Sequence, residues 1–320
     1  MYLAQILRQH FPSFDFSFDY PLGQKSYFKV GGKAEVFYSA KNRQEAMDLL
    51  LFCQRENIKF YVVGDLSNVV IADEGLKGLV LHLGFDELRL ISAHNEELVY
   101  QADSGLKTST LVGKVALLGA SGLEGFIGVP GTIGAAIYNN AHYLDNLIGN
   151  YVKQVEVFDV KKAAIVQFTR EKCEFAYEQS IFQKEPNLLI FSAYFTLKKL
   201  PLDQIKQKMQ LAIKQRELTQ PLNLPSSGCI FRNPKNNEHL KNLFPQFSQA
   251  KFIPAGFLIE QAGLKGVSEG DIQVSEKHAA FLLNLGHGKS ADVQKLIAKV
   301  KDVILNKFGV ILEEEVFYLK

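Results

Sequence analysis

An α+β protein built from separate subdomains is the fold class that the sequence predicts, on three observations. Apolar residues recur at helical spacing in a few well-separated segments, most clearly Ser290–Phe308, with Val293, Leu296, Ile297, Val300 and Ile304 on one face. Short runs rich in β-branched and aromatic residues, such as 188–197, lie between them. Strand and helix patterns alternate with mixed connections, which argues against a doubly wound parallel sheet. At 320 residues and 47% hydrophobic content, the chain has material for two or three units.

The elements follow in order. Leu3, Ile6, Leu7 and Phe11 predict a short amphipathic helix within residues 1–18. Residues 40–59 read as a helix, with Ala46, Leu49, Leu50 and Cys53 on one side. Phe60–Val63, Val69–Ile71 and 79–83 read as strands, separated by turns at 64–68 and 73–75. Residues 98–102 alternate like a strand, and 110–118 form a helix. Two strands, 155–158 and 164–168, meet at Lys161–Lys162. After the long strand 188–197 comes a charged amphipathic helix, 202–217, followed by Pro221 and Pro225. A domain boundary is expected near 200–201 or at this proline-marked loop. The helix 254–262 ends at Gly263, and Ser290–Phe308 is expected to be capped by Ser290 and ended by Gly309. Residues 310–316 close the chain as a strand.

Composition excludes several function classes. Lys+Arg is 36 against Asp+Glu 34, a net charge of +2, so non-specific nucleic-acid binding has little electrostatic drive. Cys53, Cys173 and Cys229 are odd in number and far apart, and no C-x-x-C occurs. Neither a disulfide scaffold nor a cysteine-rich metal centre is expected, and a reducing compartment fits. The longest uncharged stretch, 125–144, holds four glycines, a proline, two asparagines and a histidine, and reads as a buried loop–helix rather than a membrane span. No basic region followed by an apolar run and a cleavage site is seen, so a soluble cytoplasmic protein is expected.

Four segments carry candidate chemistry. Glycine recurs every three residues at 122, 125, 128, 131 and 134, with V-P-G at 129–131 and a helix start near Thr132. Backbone N–H groups there can face a phosphate, or the glycines can serve close packing alone. In V-V-G-D-L-S-N-V-V at 62–70, Ser67 and Asn68 can donate to an anion, or form an ordinary turn. S-S-G-C-I-F-R-N-P at 226–234 sets a thiol, a guanidinium and an amide within a few residues. A thiol with an unperturbed pKa of about 8.5 is a usable proton donor, whereas a buried cysteine is a small hydrophobe. In the terminal E-E-E-V at 313–316, Glu313 and Glu315 share one face if the segment is a strand. A carboxylate against apolar neighbours can stay protonated; a solvated acidic cluster is the alternative.

Read in order, these blocks resemble the MurB family of UDP-N-acetylenolpyruvoylglucosamine reductases. The matching stretches are S-Y-F-K-V-G-G-K-A at 26–34, V-G-D-L-S-N-V-V-I-A-D-E-G-L-K-G at 63–78 and G-L-E-G-F-I-G-V-P-G-T-I-G-A-A at 122–136. Y-E-Q-S-I-F at 177–182, S-G-C-I-F-R-N-P at 227–234 and A-G-F-L-I-E-Q-A-G-L-K-G at 255–266 follow. V-S-E-K-H-A-A-F at 274–281 and L-E-E-E-V at 312–316 complete them. The resemblance implies an FAD-binding region of the vanillyl-alcohol-oxidase (PCMH) type at 19–200, in two α+β subdomains split near 84. A substrate domain at 201–320 would complete the chain.

It also implies a reaction: NADPH reduces the FAD, and the reduced flavin passes a hydride to the enolpyruvyl group of a UDP-sugar. The product is UDP-N-acetylmuramate, for peptidoglycan. By the same resemblance, Gly64, Ser67, Asn68, Gly128, Pro130, Gly131, Thr132 and Gly134 contact the flavin. Tyr177, Arg232, Asn233 and Glu260 contact the substrate, and Cys229, Glu315 and Glu178 stand at the catalytic positions. No metal, nucleic acid or membrane is implied, and a monomer is expected.

The chain departs from the family pattern at several of these positions. Cys229 replaces the proton-donating Ser, and Glu178 replaces an Arg, reversing its charge. Either Glu178 points to solvent or another cation, such as Arg232 or Lys29, takes the Arg's place. G-D-L-S-N stands where G-G-G-S-N is usual, and Tyr27, Ala135 and His142 are smaller changes in the flavin-contacting blocks. A degenerate relative that keeps the fold and a flavin or nucleotide ligand is the alternative reading.

Overall fold

The computed structural model describes residues 2–144 and 146–320. The chain divides into two compact units, each built from several segments. Unit 1 is Met1–Tyr20, Ala34–Asp65 and Lys77–Arg216; unit 2 is Pro21–Lys33, Leu66–Leu76 and Glu217–Lys320.

Unit 1 holds two hydrophobic cores. The first lies against a four-stranded sheet ordered Ser17–Tyr20, Ala34–Ala40, Leu76–Leu83, Phe60–Val63. In Ala34–Ala40 the buried residues Ala34, Val36, Tyr38 and Ala40 alternate with outward ones, as a half-buried strand requires. The next helix is Arg43–Arg55, shorter than the 40–59 expected, because Asn42 is its N-cap and accepts from the Glu45 N–H at 3.0 Å. Its Leu49, Leu50 and Cys53 join Leu79, Leu81 and Phe191 in this core.

The second core covers an antiparallel sheet ordered Ala164–Thr169, Val152–Asp159, Leu188–Lys199, Glu97–Asp103, Leu88–His94. The hairpin 152–169 turns where expected: Asp159 Oδ1 accepts from the Lys161 and Lys162 N–H groups at 3.1 and 3.2 Å. Helices Thr108–Leu117 and Ile133–Asn139 place Leu111, Val115, Ile133 and Ile137 in the same core. Arg43 binds two acidic residues of this sheet, Asp103 at 2.8 Å and Glu156. Both residues are buried.

Unit 2 packs the 19-residue helix Ser290–Phe308 against a small antiparallel sheet of Ser268–Glu269, Ile272–Val274 and Leu282–Asn284. Val293, Leu296, Ile297, Val300 and Ile304 all lie in this core, as their spacing predicts. The start of this helix differs from expectation. Lys289 holds the N-cap position and Ser290 is the first helical residue. The Ser290 and Ala291 N–H groups donate to the Asp73 carboxylate at 2.8 and 3.1 Å, and Asp292 accepts from the Lys289 N–H. A carboxylate from a distant turn does the work expected of a local serine.

The segment 310–316 is likewise not a strand. Its Arg232–Glu313 and Ile230–Glu315 backbone bonds leave only an isolated bridge at Glu314, and the strand is Phe317–Leu319, parallel to Val69–Ile71. The shared-face argument for Glu313 and Glu315 therefore fails, and Glu314 accepts from Lys301 at 3.0 Å and Tyr318 at 2.6 Å.

Two stability predictions follow from these ion contacts. Arg43→Met leaves Asp103 and Glu156 buried without a cation and is expected to cost about 2–4 kcal/mol, after a discount for the exposed part of the arginine. Asp73→Ala removes the cap of the long helix and is expected to cost about 1 kcal/mol. Urea midpoints at constant slope measure both.

Candidate functional site

The expected site residues fall into one group in each unit. In unit 1 they gather around the helix Ile133–Asn139. Thr132 is its N-cap, with Oγ1 facing the Ala135 N–H at 3.5 Å. Gly131 stands at φ +107°, and its carbonyl accepts from Thr108 N–H and Oγ1 at 3.0 and 3.2 Å. A Cβ on Gly134 would lie 2.9 Å from Ser104 Cβ, and one on Gly64 would lie 2.6 Å from Thr132 Oγ1. The glycines thus let three stretches of backbone meet.

This helix start does not offer its amides to a phosphate. The Ile133 N–H donates to Leu106 O and the Gly134 N–H to Ser104 O, both at 2.8 Å. Close packing accounts for Gly64 and Gly134, and Gly128 and Pro130, both exposed, precede this helix end.

What remains open here suits a dinucleotide in kind. Ser104 Oγ, Asp65 Oδ2 and Asn139 Oδ1 are buried with no hydrogen-bond partner among the described residues. One hydroxyl donor and two oxygen acceptors beside a glycine turn match phosphate oxygens and ribose or flavin N–H and O–H groups. Ser104 was not singled out from sequence. Its D-S-G context, directly after the strand Glu97–Asp103, is the signal that points to it. In the G-D-L-S-N turn Leu66 takes φ +56°, a left-handed conformation that costs a non-glycine residue about 1–2 kcal/mol.

Tyr177 and Glu178 lie on a tight turn at the other end of the same helix. Asn140, the helix C-cap at φ +46°, donates from Nδ2 to Ala176 O at 2.6 Å and accepts from the Gly149 N–H at 2.9 Å. Glu178 does not face solvent; it is 4% exposed, and its Oε1 lies 3.6 Å from His142 Nδ1.

In unit 2, Cys229, Asn68 and Glu315 share one ladder. The Glu315 N–H donates to Ile230 O at 2.8 Å, and Cys229, next in the chain, bridges Phe281. Asn68 Nδ2 donates to Glu315 O at 3.3 Å, while its carbonyl accepts from the Phe317 N–H. Arg232 is held by its N–H to Glu313 O at 2.9 Å. Asn233 Oδ1 accepts from the Ala255 N–H at 2.9 Å and so caps the helix Ala255–Gln261. Glu260 stands half-exposed at the end of that helix, paired with Lys265 at 2.7 Å. Ser67 is partly buried in the same unit.

His278 belongs to this group although sequence reading gave it no role. Its Nδ1 accepts from the Ala280 N–H at 3.3 Å, and its ring packs on Phe281, the bridge partner of Cys229. Burial pushes its pKa below the ordinary value; Lys265 adds to the shift and Glu260 opposes it.

Comparison with known proteins identifies relatives of both regions of the chain. Residues 220–319 match the model of the UDP-N-acetylenolpyruvoylglucosamine reductase C-terminal domain, and residues 34–169 match an FAD binding domain. The UDP-N-acetylenolpyruvoylglucosamine reductase of Caldicellulosiruptor bescii is 34% identical over 95% of this chain and 91% of its own length. The chain belongs to the MurB family. The reductase of Chlamydia felis is 33% identical over 92% of this chain and 91% of its own. The crystal structure of MurB from Thermus caldophilus superposes with a TM-score of 0.75 at 26% identity, covering 96% of this chain and 99% of that one. No helix among the described residues is long and apolar enough to cross a membrane.

The His278 shift gives a pH prediction. The unfolded chain binds this proton more readily than the folded one. The neutral ring therefore contributes stability that is complete above about pH 6.5 and lost as pH falls toward the folded value. Thermal unfolding is expected to show a falling Tm below that pH. His278→Asn, whose amide oxygen can still accept from Ala280, is expected to flatten the slope.

Proposed function

We infer that this MurB-family chain reduces UDP-N-acetylglucosamine enolpyruvate to UDP-N-acetylmuramate with NADPH, as a flavoprotein of peptidoglycan synthesis. The observation that carries the reading is the family match over nearly the whole length, in both the FAD-binding and the C-terminal regions. Bound FAD would supply hydride transfer from NADPH to the enolpyruvyl double bond. Ser104, Asp65, Asn139 and the Gly128–Pro130–Gly131 turn of unit 1 would hold it.

The chain's own residues then have two tasks. Hydride addition leaves negative charge spread onto the adjacent carboxylate, and the α-carbon must gain a proton. Cys229 is the donor in this reading: its S–H bond breaks as the C–H bond forms, and solvent reprotonates the thiolate. Glu315 and Arg232 meet the substrate carboxylate, and Tyr177 and Glu260 contact the sugar nucleotide. Asn233 acts by fixing the helix Ala255–Gln261 beside Arg232. Support for the pairing of Cys229 with Glu315 is their common ladder through Ile230. The described cysteines are all unbridged, which supports a cytoplasmic protein, and a monomer completes the proposal.

The purified protein is expected to be yellow and to release FAD on denaturation. Cys229→Ala is expected to slow flavin reoxidation by the sugar nucleotide about 10²–10⁴-fold while sparing flavin reduction by NADPH. Cys229→Ser is expected to keep most of the rate. Stopped-flow absorbance separates the two steps, and equal losses in both would remove Cys229 from the donor role.

A further inference from the structure

Glu178 occupies a position that a filler residue would not hold. Ala176 and Gln179 exchange backbone bonds at 3.1 and 3.2 Å, closing a two-residue turn. Glu178 takes its third position at φ +54°, where glycine or asparagine is preferred. Its side chain is nevertheless 4% exposed. A buried carboxylate on a strained turn survives where the surroundings over-determine it.

Those surroundings are specific. Asn140 ties the turn at Ala176 O, and Ser180 Oγ donates to Tyr138 O at 2.6 Å. Gln183 Nε2 donates to both Tyr138 O and Glu178 O. Across from the carboxylate is His142, its Nδ1 at 3.6 Å and its ring 5.1 Å from that of Tyr177. The separation is beyond a direct hydrogen bond and well inside the range in which a carboxylate favours a protonated imidazole. The His142 side chain is 25% exposed, so one member of the pair is closed off and the other is accessible.

We propose that Glu178 and His142 form a carboxylate–imidazolium pair in which buried Glu178 keeps His142 charged, and His142 offers that charge to the carboxylate of the sugar-nucleotide substrate. The proposal rests on the reductase reading for its substrate, and on unit 1 alone for its geometry. Glu178 is a positioning residue and His142 the contact. Among the described residues, Glu178 and Tyr177 of the turn lie against His142. Arg216, whose guanidinium lies 5.0 Å from the Tyr143 ring, opposes the charge. Glu124, near the same ring through Gly125, is engaged by Ser121 Oγ and the Gly122 N–H.

Histidine-labelled holoenzyme followed by NMR tests the pair directly, with His142 assigned by its loss in His142→Gln. His142 is expected to titrate above the ordinary value of about 6.5, and Glu178→Gln to lower its proton affinity about tenfold or more. An equal midpoint in both proteins would overturn the proposal. In turnover, kcat/KM for the enolpyruvyl sugar nucleotide is expected to fall as pH rises through the His142 midpoint. His142→Lys, a cation throughout that range, is expected to keep activity and lose this limb, whereas His142→Gln loses about tenfold or more. Persistence of the limb in His142→Lys would exclude His142 as its source. Absence of sugar-nucleotide-dependent NADPH oxidation would defeat the reductase reading, while the NMR arm still decides the pair.

Discussion

The seven-residue helix Ile133–Asn139 is too short to be stable alone, since helices below roughly 12–15 residues are marginal in water. It persists because both of its ends are tied elsewhere. Leu106 and Ser104 carbonyls take its first amides, and the Asn140 side chain binds Ala176 and Gly149 beyond its last turn. These ties determine what unit 1 can offer a ligand. Closing the N-terminal end occupies the amides of the usual anion cradle and leaves buried polar atoms, Ser104 Oγ and Asn139 Oδ1, with no hydrogen-bond partner among the described residues. At the other end, the same ties bring Glu178 opposite His142.

Unit 2 solves the analogous problem with a ladder. The Glu315 N–H bond to Ile230 O, the Asn68 side-chain bond to Glu315 O and the Phe317 N–H bond to Asn68 O link three segments far apart in sequence. The backbone that carries a thiol and a carboxylate is thereby fixed by main-chain bonds, and the Asn68 amide adds a side-chain tie to it. Such placement limits drift of reacting groups, on which rates depend steeply. The cost is that conformational strain collects nearby, as at Leu66 with its positive φ.

The legibility of the sequence follows these distinctions. Long periodic segments are readable: the apolar face of Ser290–Phe308 and the hairpin 152–169 sit as their patterns dictate. Elements defined by a partner elsewhere are not. Asp73 caps a helix 217 positions away, which local capping rules point to Ser290 instead. The strand Leu88–His94 escaped reading because a register shift between Leu90 and Ser92 breaks its two-residue period. At the site, the ordered motifs located the family. The closed helix end and the inward Glu178 depended on tertiary contacts that no spacing encodes.

The three cysteines illustrate how burial selects among chemically equal side chains. Cys53 and Cys173 are fully buried, and burial pushes their thiols up to about 12, so they remain protonated hydrophobes. Cys229 is partly exposed and stands beside a backbone bridge, on the segment that also carries Arg232 and Asn233. The same logic applied to carboxylates gives the opposite assignment. An exposed carboxylate such as Glu260 settles for a surface lysine worth about 0–1 kcal/mol. A buried one must find a cation, which Asp103 and Glu156 find in Arg43. Glu178 meets that demand with a histidine, the one cation whose charge depends on the pH at which the enzyme works. In the proposed pair, the positive charge of this region sits on a side chain neighbouring position 178 and is titratable.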